Sequence, residues 1–333
     1  MRAVISGVGA ALPERTVDNA HFEAVGMPAD WIRQLTGITE RRWLSEGEQL
    51  YDLAVEACAT ALDDAGRSAR DVDLVIAATI TADRPSPSLA SQLVAGLGTK
   101  HVGAVDLNAA CAGFIYALDY AFAAVESGRQ SCVLVCAAEA VSRIADMTDR
   151  ATAPLFGDAA GAVVVTGSSA CRRRECAPVI RLGSDGSLGD ILYVDPADRV
   201  IRMDGAEVYV NAIDTMVNGT RDVCTARGLD LMDVDLFVPH QANARIIRSV
   251  VRELDLPSER VVLTVGQVGN TSSSSIPLAL SMARQDGRLI PGARVAMTAV
   301  GAGVTWGSGL VDWKGCVHQR EASGPEAAVP HSP

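Results

Sequence analysis

Short apolar runs alternate with stretches of helical period along most of this chain. Residues 2–10, 72–80, 101–107 and 131–138 read as strands. Leu50, Leu53, Ala54, Ala57, Ala61 and Leu62 recur at helical spacing and stop at Gly66. Phe114, Leu118, Ala121, Phe122 and Val125 do the same, up to Ser127-Gly128. The pattern predicts short helices over 18–25 and 89–97, an irregular and partly basic segment over 29–43, and a Pro-rich loop over 81–88. Further on, 156–165 reads as a turn into a strand, 171–205 as loops with short strands, 206–227 as a helix and Val234–Val238 as a strand. Gly301–Gly309 reads as a Gly-rich turn, and composition predicts a disordered tail over 317–333.

The pattern repeats. Shifted by 162 residues, Val72-Asp-Leu-Val-Ile76 falls on Val234-Asp-Leu-Phe-Val238, Asn108 on Asn270, Ala117-Leu118 on Ala279-Leu280 and Val133–Ala137 on Val295–Ala299. In-order matches at one offset imply two copies of one α/β unit, placed at 1–170 and 171–316. Strands separated by helices predict mostly parallel sheets packed between helix layers. At the same offset Cys111 falls on Ser273, so the copies differ in what they present at the equivalent turn.

Composition narrows the class. Of 333 residues, 48% are hydrophobic but only 4% aromatic, which suits close-packed helices and sheets. No apolar run reaches membrane-spanning length. The N-terminal run is broken by Gly7 and Gly9 and ends at Leu12-Pro13, which reads as a strand and turn rather than a signal peptide. A cytoplasmic protein is expected. The net charge of −11 argues against nucleic-acid binding, so an acidic ligand would need a local basic patch. Among the eight cysteines, neither Cys132/Cys136 nor Cys171/Cys176 has zinc spacing. Free thiols in a reducing compartment and no metal are expected.

Three side chains carry candidate chemistry. Cys111 lies between the strand ending at Leu107 and the helix that follows, so it sits near a helix N-terminus, where a thiolate is favoured. A small buried cysteine at a tight junction would look the same. His240, in Pro239-His-Gln-Ala-Asn243, follows a strand at the end where open α/β sheets place function. Asn270 lies in the polar turn Gly266–Ser275, and all three groups are expected to end strands. The helix after His240 carries Arg245, Arg248 and Arg252 on one face, either a solvated face or a dock for an acidic partner.

These motifs resemble the β-ketoacyl-acyl-carrier-protein synthase III family of the thiolase superfamily. The resemblance rests on Asn108-Ala-Ala-Cys-Ala-Gly-Phe114, Phe156-Gly-Asp-Ala-Ala-Gly161, Pro239–Asn243, Gly269-Asn-Thr-Ser272 and Thr305-Trp-Gly-Ser308. Trp31-Ile32, Thr36-Gly-Ile38 and Thr148-Asp-Arg150 add to it, and it runs to about residue 313. It implies a thiolase fold, a duplicated α/β unit in α-β-α-β-α layers, and a homodimer. It also implies that acyl-CoA acylates Cys111, with the N–H groups of Cys111 and Gly303 as oxyanion hole. His240 and Asn270 would then stabilise the enolate formed when a malonyl-acyl carrier protein loses carbon dioxide. By the same resemblance Trp31 and Arg150 would sandwich the adenine of coenzyme A. Arg245 and Arg248 would face the phosphopantetheine or the carrier protein.

The chain departs from the family pattern in places. Leu35 stands where an Arg near the coenzyme A phosphates is common, and Val210 where a docking Lys is common. Ser86 replaces a bulky Phe that a dimer partner inserts against the acyl pocket. These departures point to a wider acyl pocket and to priming with a nonstandard starter, in fatty acid or polyketide biosynthesis. Two other readings stay open: an acyltransferase of the same fold that does not condense, and a non-catalytic dimer subunit.

Overall fold

The computed structural model describes residues 2–168 and 177–314. The boundary expected at 170/171, the tail expected over 317–333, and Cys171 and Cys176 lie outside them.

The chain opens with strand β1 (Arg2–Ala11), a small ribbon of β2 (Thr16–Asp18), helix α1 (Ala29–Thr36) and β3 (Glu40–Arg42). The segment expected to be irregular over 29–43 is thus mostly a helix and a strand. Gly37, in the left-handed conformation, caps α1 and hides its helical period within eight residues. Next come α2 (Leu50–Ala65), β4 (Leu74–Ala78), α3 (Leu89–Gly96), β5 (Gly103–Leu107), α4 (Gly113–Glu126), β6 (Cys132–Ala140) and β7 (Asp158–Ser168). The second half runs β8 (Val179–Ser184), β9 (Leu192–Val194), β10 (Ile201–Met203), α5 (Gly205–Arg227), β11 (Leu236–Pro239), α6 (Ala244–Leu254), α7 (Val265–Val268), α8 (Ser275–Gln285), β12 (Arg294–Gly301) and β13 (Thr305–Asp312). The expected turn over 301–309 is a hairpin: Gly301 ends the first strand, Gly303 lies in the turn, and Gly307 and Gly309 lie in the second strand.

Two sheets share one order. The first runs β1-β7-β6-β4-β5 and the second β8-β13-β12-β11. The parallel register repeats at the offset seen in the sequence: Leu74 lies opposite Val133, and Leu236 opposite Val295. The second sheet lacks a fifth strand; only a parallel bridge between Phe237 and Val261 stands in its place.

Five layers result. Alternate residues of β6 face opposite ways, Val133, Val135 and Ala137 to one side and Leu134, Cys136 and Ala138 to the other. Both faces are buried, so the strand reads as a continuous apolar run. The inner face packs on α4 and α8, which separate the two sheets. Helices α2 and α3 cover the outer face of the first sheet, and α5 and α6 that of the second. The low aromatic content fits this close packing. At Gly7 and Gly9 a Cβ would lie 2.4 Å from the backbone oxygens of Ala61 and Ala57, so α2 rests directly on β1. Among the described residues no helix is long and apolar enough to cross a membrane.

Candidate active site

The two central helices begin with the same device. After β5, Asn108 Oδ1 accepts the Ala110 N–H at 3.2 Å, Ala110 takes φ +46°, and one 3-10 turn over Ala110–Ala112 leads into α4. In the second half, Asn270 Oδ1 accepts the Ser272 N–H at 2.9 Å, Ser272 takes φ +51°, and one 3-10 turn over Ser272–Ser274 leads into α8. The side-chain carbonyl closes each tight turn. Asn270 does not end a strand, as expected, but follows the short helix α7. Its segment pairs only at the bridge between Phe156 and Asn270, because the fifth strand is reduced in this half.

Cys111, His240 and Asn270 line one cavity of about 540 Å³. Cys111 is partly open to it, whereas His240 and Asn270 are 2% and 7% exposed. A Cβ on Gly301 would lie 2.6 Å from the Cys111 nitrogen, so only glycine lets the end of β12 pass behind the sulfur's turn. Gly303 borders an adjoining hollow of about 600 Å³, whose walls share Ile80, Ala110 and Ala302 with the cavity.

The electrostatics differ from the sequence expectation at one point. Burial pushes the Cys111 thiol up to about 11; a hydrogen bond from Ser272 lowers it and the Glu139 charge raises it. The resting group is a thiol, because desolvation outweighs the favourable helix start. His240 is pushed down to about 4 by burial and is neutral above that pH. Its Nδ1 lies 2.6 Å from Ser275 Oγ, which also accepts the Gln241 N–H at 3.4 Å. In the tautomer where Ser275 donates its proton to Nδ1, Nε2–H is the ring's remaining donor. With Asn270 Oδ1 occupied, the amide likewise presents its N–H side.

Glu139 and the serine run were missed in the sequence. Glu139 is fully buried, and burial raises its carboxyl against five donors. Thr81 Oγ1 at 2.6 Å, Ser273 Oγ at 2.7 Å, Ile80 N–H at 3.1 Å, Ser272 Oγ at 3.3 Å and Thr79 Oγ1 at 3.5 Å all point to it. A signal existed: Glu139 is the only charged residue in the strand Cys132–Ala140.

The other expected residues fall in two groups. Arg150 and Arg245 line the cavity, with Leu35 and Val210 as exposed apolar residues of its wall. Trp31 does not line it, but the Arg150 guanidinium stacks 4.8 Å from the Trp31 ring centre. Arg248 lies outside the cavity, exposed on α6. Ser86 is exposed and does not line the cavity of its own chain. Among the described residues no cluster of His, Cys, Asp or Glu could hold a metal ion.

Fold and site together define a thiolase-fold enzyme whose cavity gathers a thiol, a neutral imidazole and an amide. Two family models match: 3-oxoacyl-[acyl-carrier-protein] synthase III over residues 105–186 and its C-terminal part over 224–313. β-Ketoacyl-[acyl-carrier-protein] synthase III of Bordetella petrii is 44% identical, over 92% of this chain and 97% of that protein. The Paracoccus denitrificans relative is 44% identical over 94% and 99%. Among solved structures, the Aquifex aeolicus 3-oxoacyl-[acyl-carrier-protein] synthase III matches with a TM-score of 0.89 and 39% identity, over 93% of this chain and 100% of that one. The priming β-ketosynthase of the R1128 polyketide pathway matches at 0.88 and 34%, over 94% and 96%. The chain belongs to the β-ketoacyl-acyl-carrier-protein synthase III family and is a condensing acyltransferase of that type.

Proposed function

We propose that Cys111 takes an acyl group from acyl-CoA and that the acyl-enzyme condenses with a malonyl-acyl carrier protein, with loss of carbon dioxide. The observation that carries this is the convergence of Cys111, neutral His240 and Asn270 on one cavity. In acylation the sulfur attacks the thioester carbonyl, and the N–H groups of Cys111 and Gly303 receive the oxyanion. In condensation His240 Nε2–H and an Asn270 N–H hold the malonyl thioester oxygen. They stabilise the enolate as carbon dioxide leaves, and the enolate carbon then attacks the acyl carbonyl. Neutral donors suit this role, because a buried cation would have to be desolvated first.

Substrate handling is assigned on the same footing. The Trp31–Arg150 stack opens to take the adenine between its two planes. Arg245 and Arg248 meet the phosphopantetheine and the acidic carrier protein, a local basic answer to the net charge of −11. The halves divide at about residue 170, the first carrying Cys111, the second His240 and Asn270. A homodimer forms across β5, an edge strand exposed at Gly103, Ala104 and Val105. It brings Ser86 of the partner subunit to the acyl pocket, where a small residue leaves room for a starter larger than acetyl. The protein works in the cytoplasm, priming fatty acid or polyketide synthesis. Retention of Asn270 favours condensation over simple acyl transfer.

The test is intact-protein mass after exposure to a panel of acyl-CoAs, followed by a malonyl-carrier chase. An adduct on Cys111 that disappears as a β-ketoacyl product forms is the expected result. An adduct that persists on chase but leaves with an alcohol or amine would make the protein a simple acyltransferase. Strict preference for acetyl-CoA would overturn the wider pocket.

A further inference from the structure

We propose that Ser272 is a fourth catalytic residue, a hydrogen-bond switch whose hydroxyl serves Glu139 while Cys111 is a thiol and turns to the sulfur when it is a thiolate. The inference rests on the reading of Cys111 as nucleophile.

The geometry is specific. Ser272 Oγ lies 3.5 Å from Cys111 Sγ and 3.3 Å from Glu139 Oε1. A hydroxyl has one proton, so it donates to one of the two at a time. Glu139 does not lose its solvation when Ser272 turns away. Ser273 Oγ stays on the same Oε1 at 2.7 Å, and Thr81 and Ile80 hold Oε2. The backbone is committed to this placement: Ser272 is 2% exposed and takes φ +51°, a left-handed conformation that residues with side chains rarely adopt.

The reaction makes the sulfur anionic twice. In acylation the S–H bond breaks, the S–C bond forms, and the thiol proton ends on the departing thiolate of the acyl donor. In condensation the new C–C bond forms as the C–S bond to Cys111 breaks. The sulfur leaves with the electron pair and takes a proton from water. Ser272 donates to the sulfur at both moments. Between them it returns to Glu139, whose charge keeps the idle thiol protonated.

The test is the pH dependence of iodoacetamide alkylation, followed by mass on the tryptic segment 101–129, in which Cys111 is the only cysteine. Ser272→Ala and Ser272→Gly are each expected to slow alkylation at pH 8 by about tenfold, with the thiol midpoint moved up by about one unit. Glu139→Gln is expected to do the opposite, by about as much. It removes the nearby charge and offers amide hydrogens that turn the Ser272 proton toward the sulfur. Loss of packing alone would not move the two sites in opposite directions. Glycine tolerates the left-handed backbone, so a Gly variant that behaves like wild type while Ala is slow would assign the effect to strain and overturn the proposal. An unchanged midpoint in both Ser272 variants would overturn it too. Should those variants fail to fold, Glu139→Gln decides alone, and a midpoint that stays or rises contradicts the switch. Alkylation needs no thioester. If the midpoints shift as expected but no acyl-CoA ever yields an adduct, the proposed function fails and the switch stands.

Discussion

The turns at 108–113 and 270–275 share a backbone and differ in nearly every side chain. Each is closed by an Asn carbonyl on an N–H two residues on, each holds a left-handed residue, and each opens a central helix. The first then presents only Ala, Cys and Gly around the sulfur. The second presents four consecutive buried serines, each with a partner: Ser272 with Cys111 and Glu139, Ser273 with Glu139, Ser274 with the Thr271 carbonyl, Ser275 with His240. One device thus serves two purposes. The bare copy clears space around a nucleophile, and the hydroxylated copy orients the groups that act on it. The four buried serine hydroxyls are tolerated there because each is satisfied, whereas Thr271 Oγ1 in the same turn is buried without a hydrogen-bond partner among the described residues.

The comparison can be broken at graded strength. Cys111→Ala should abolish the acyl adduct completely, seen by intact mass, whereas Ser273→Ala at the equivalent position should leave an adduct forming. Gly301→Ala would push a methyl toward the Cys111 nitrogen, and stopped-flow acylation should slow by about 100-fold. The buried imidazole gives the second turn a pH signature. With His240 near 4 when folded and 6.5 when unfolded, only the unfolded state gains its proton as pH falls between those values. Stability is therefore lost on acidification. Wild type should lose about 3 kcal/mol more than His240→Asn between pH 6.5 and pH 4 in urea melts. Smallest is Asn108→Ala, which removes the turn closure but no reacting group. A cost of about 1 kcal/mol in the same melts is expected, with the balance of the two half-reactions unchanged.

Much of this was legible in the sequence for a physical reason. Parallel strands buried on both faces leave apolar runs, and the repeated register kept the offset of 162 intact from Val72 to Ala299. The Cys111 turn was readable because a strand and a long helix flank it. Asn270 was misplaced at a strand end because the strand that should precede it has shrunk to one bridge, which no periodicity records. The helix start that favours a thiolate at Cys111 was readable, but the burial that pushes the thiol up to about 11 was not, because it depends on packing from both halves. Glu139 and Ser272 are 133 residues apart and meet only across the interface between the units. The charge inside an apolar strand was visible, but its partners were not.

The central claim is that Cys111 carries acylation while Asn270, with His240, acts on decarboxylation. The most direct test is to time both half-reactions in Asn270→Ala: acyl-CoA adduct formation on Cys111, and carbon dioxide release from a malonyl-carrier chase. Adduct formation slowed by at most about tenfold, because the turn that holds Ser272 loses its closure, with release slowed by about 100-fold or more, is predicted. Equal slowing of both steps would contradict the division of labour between Cys111 and Asn270.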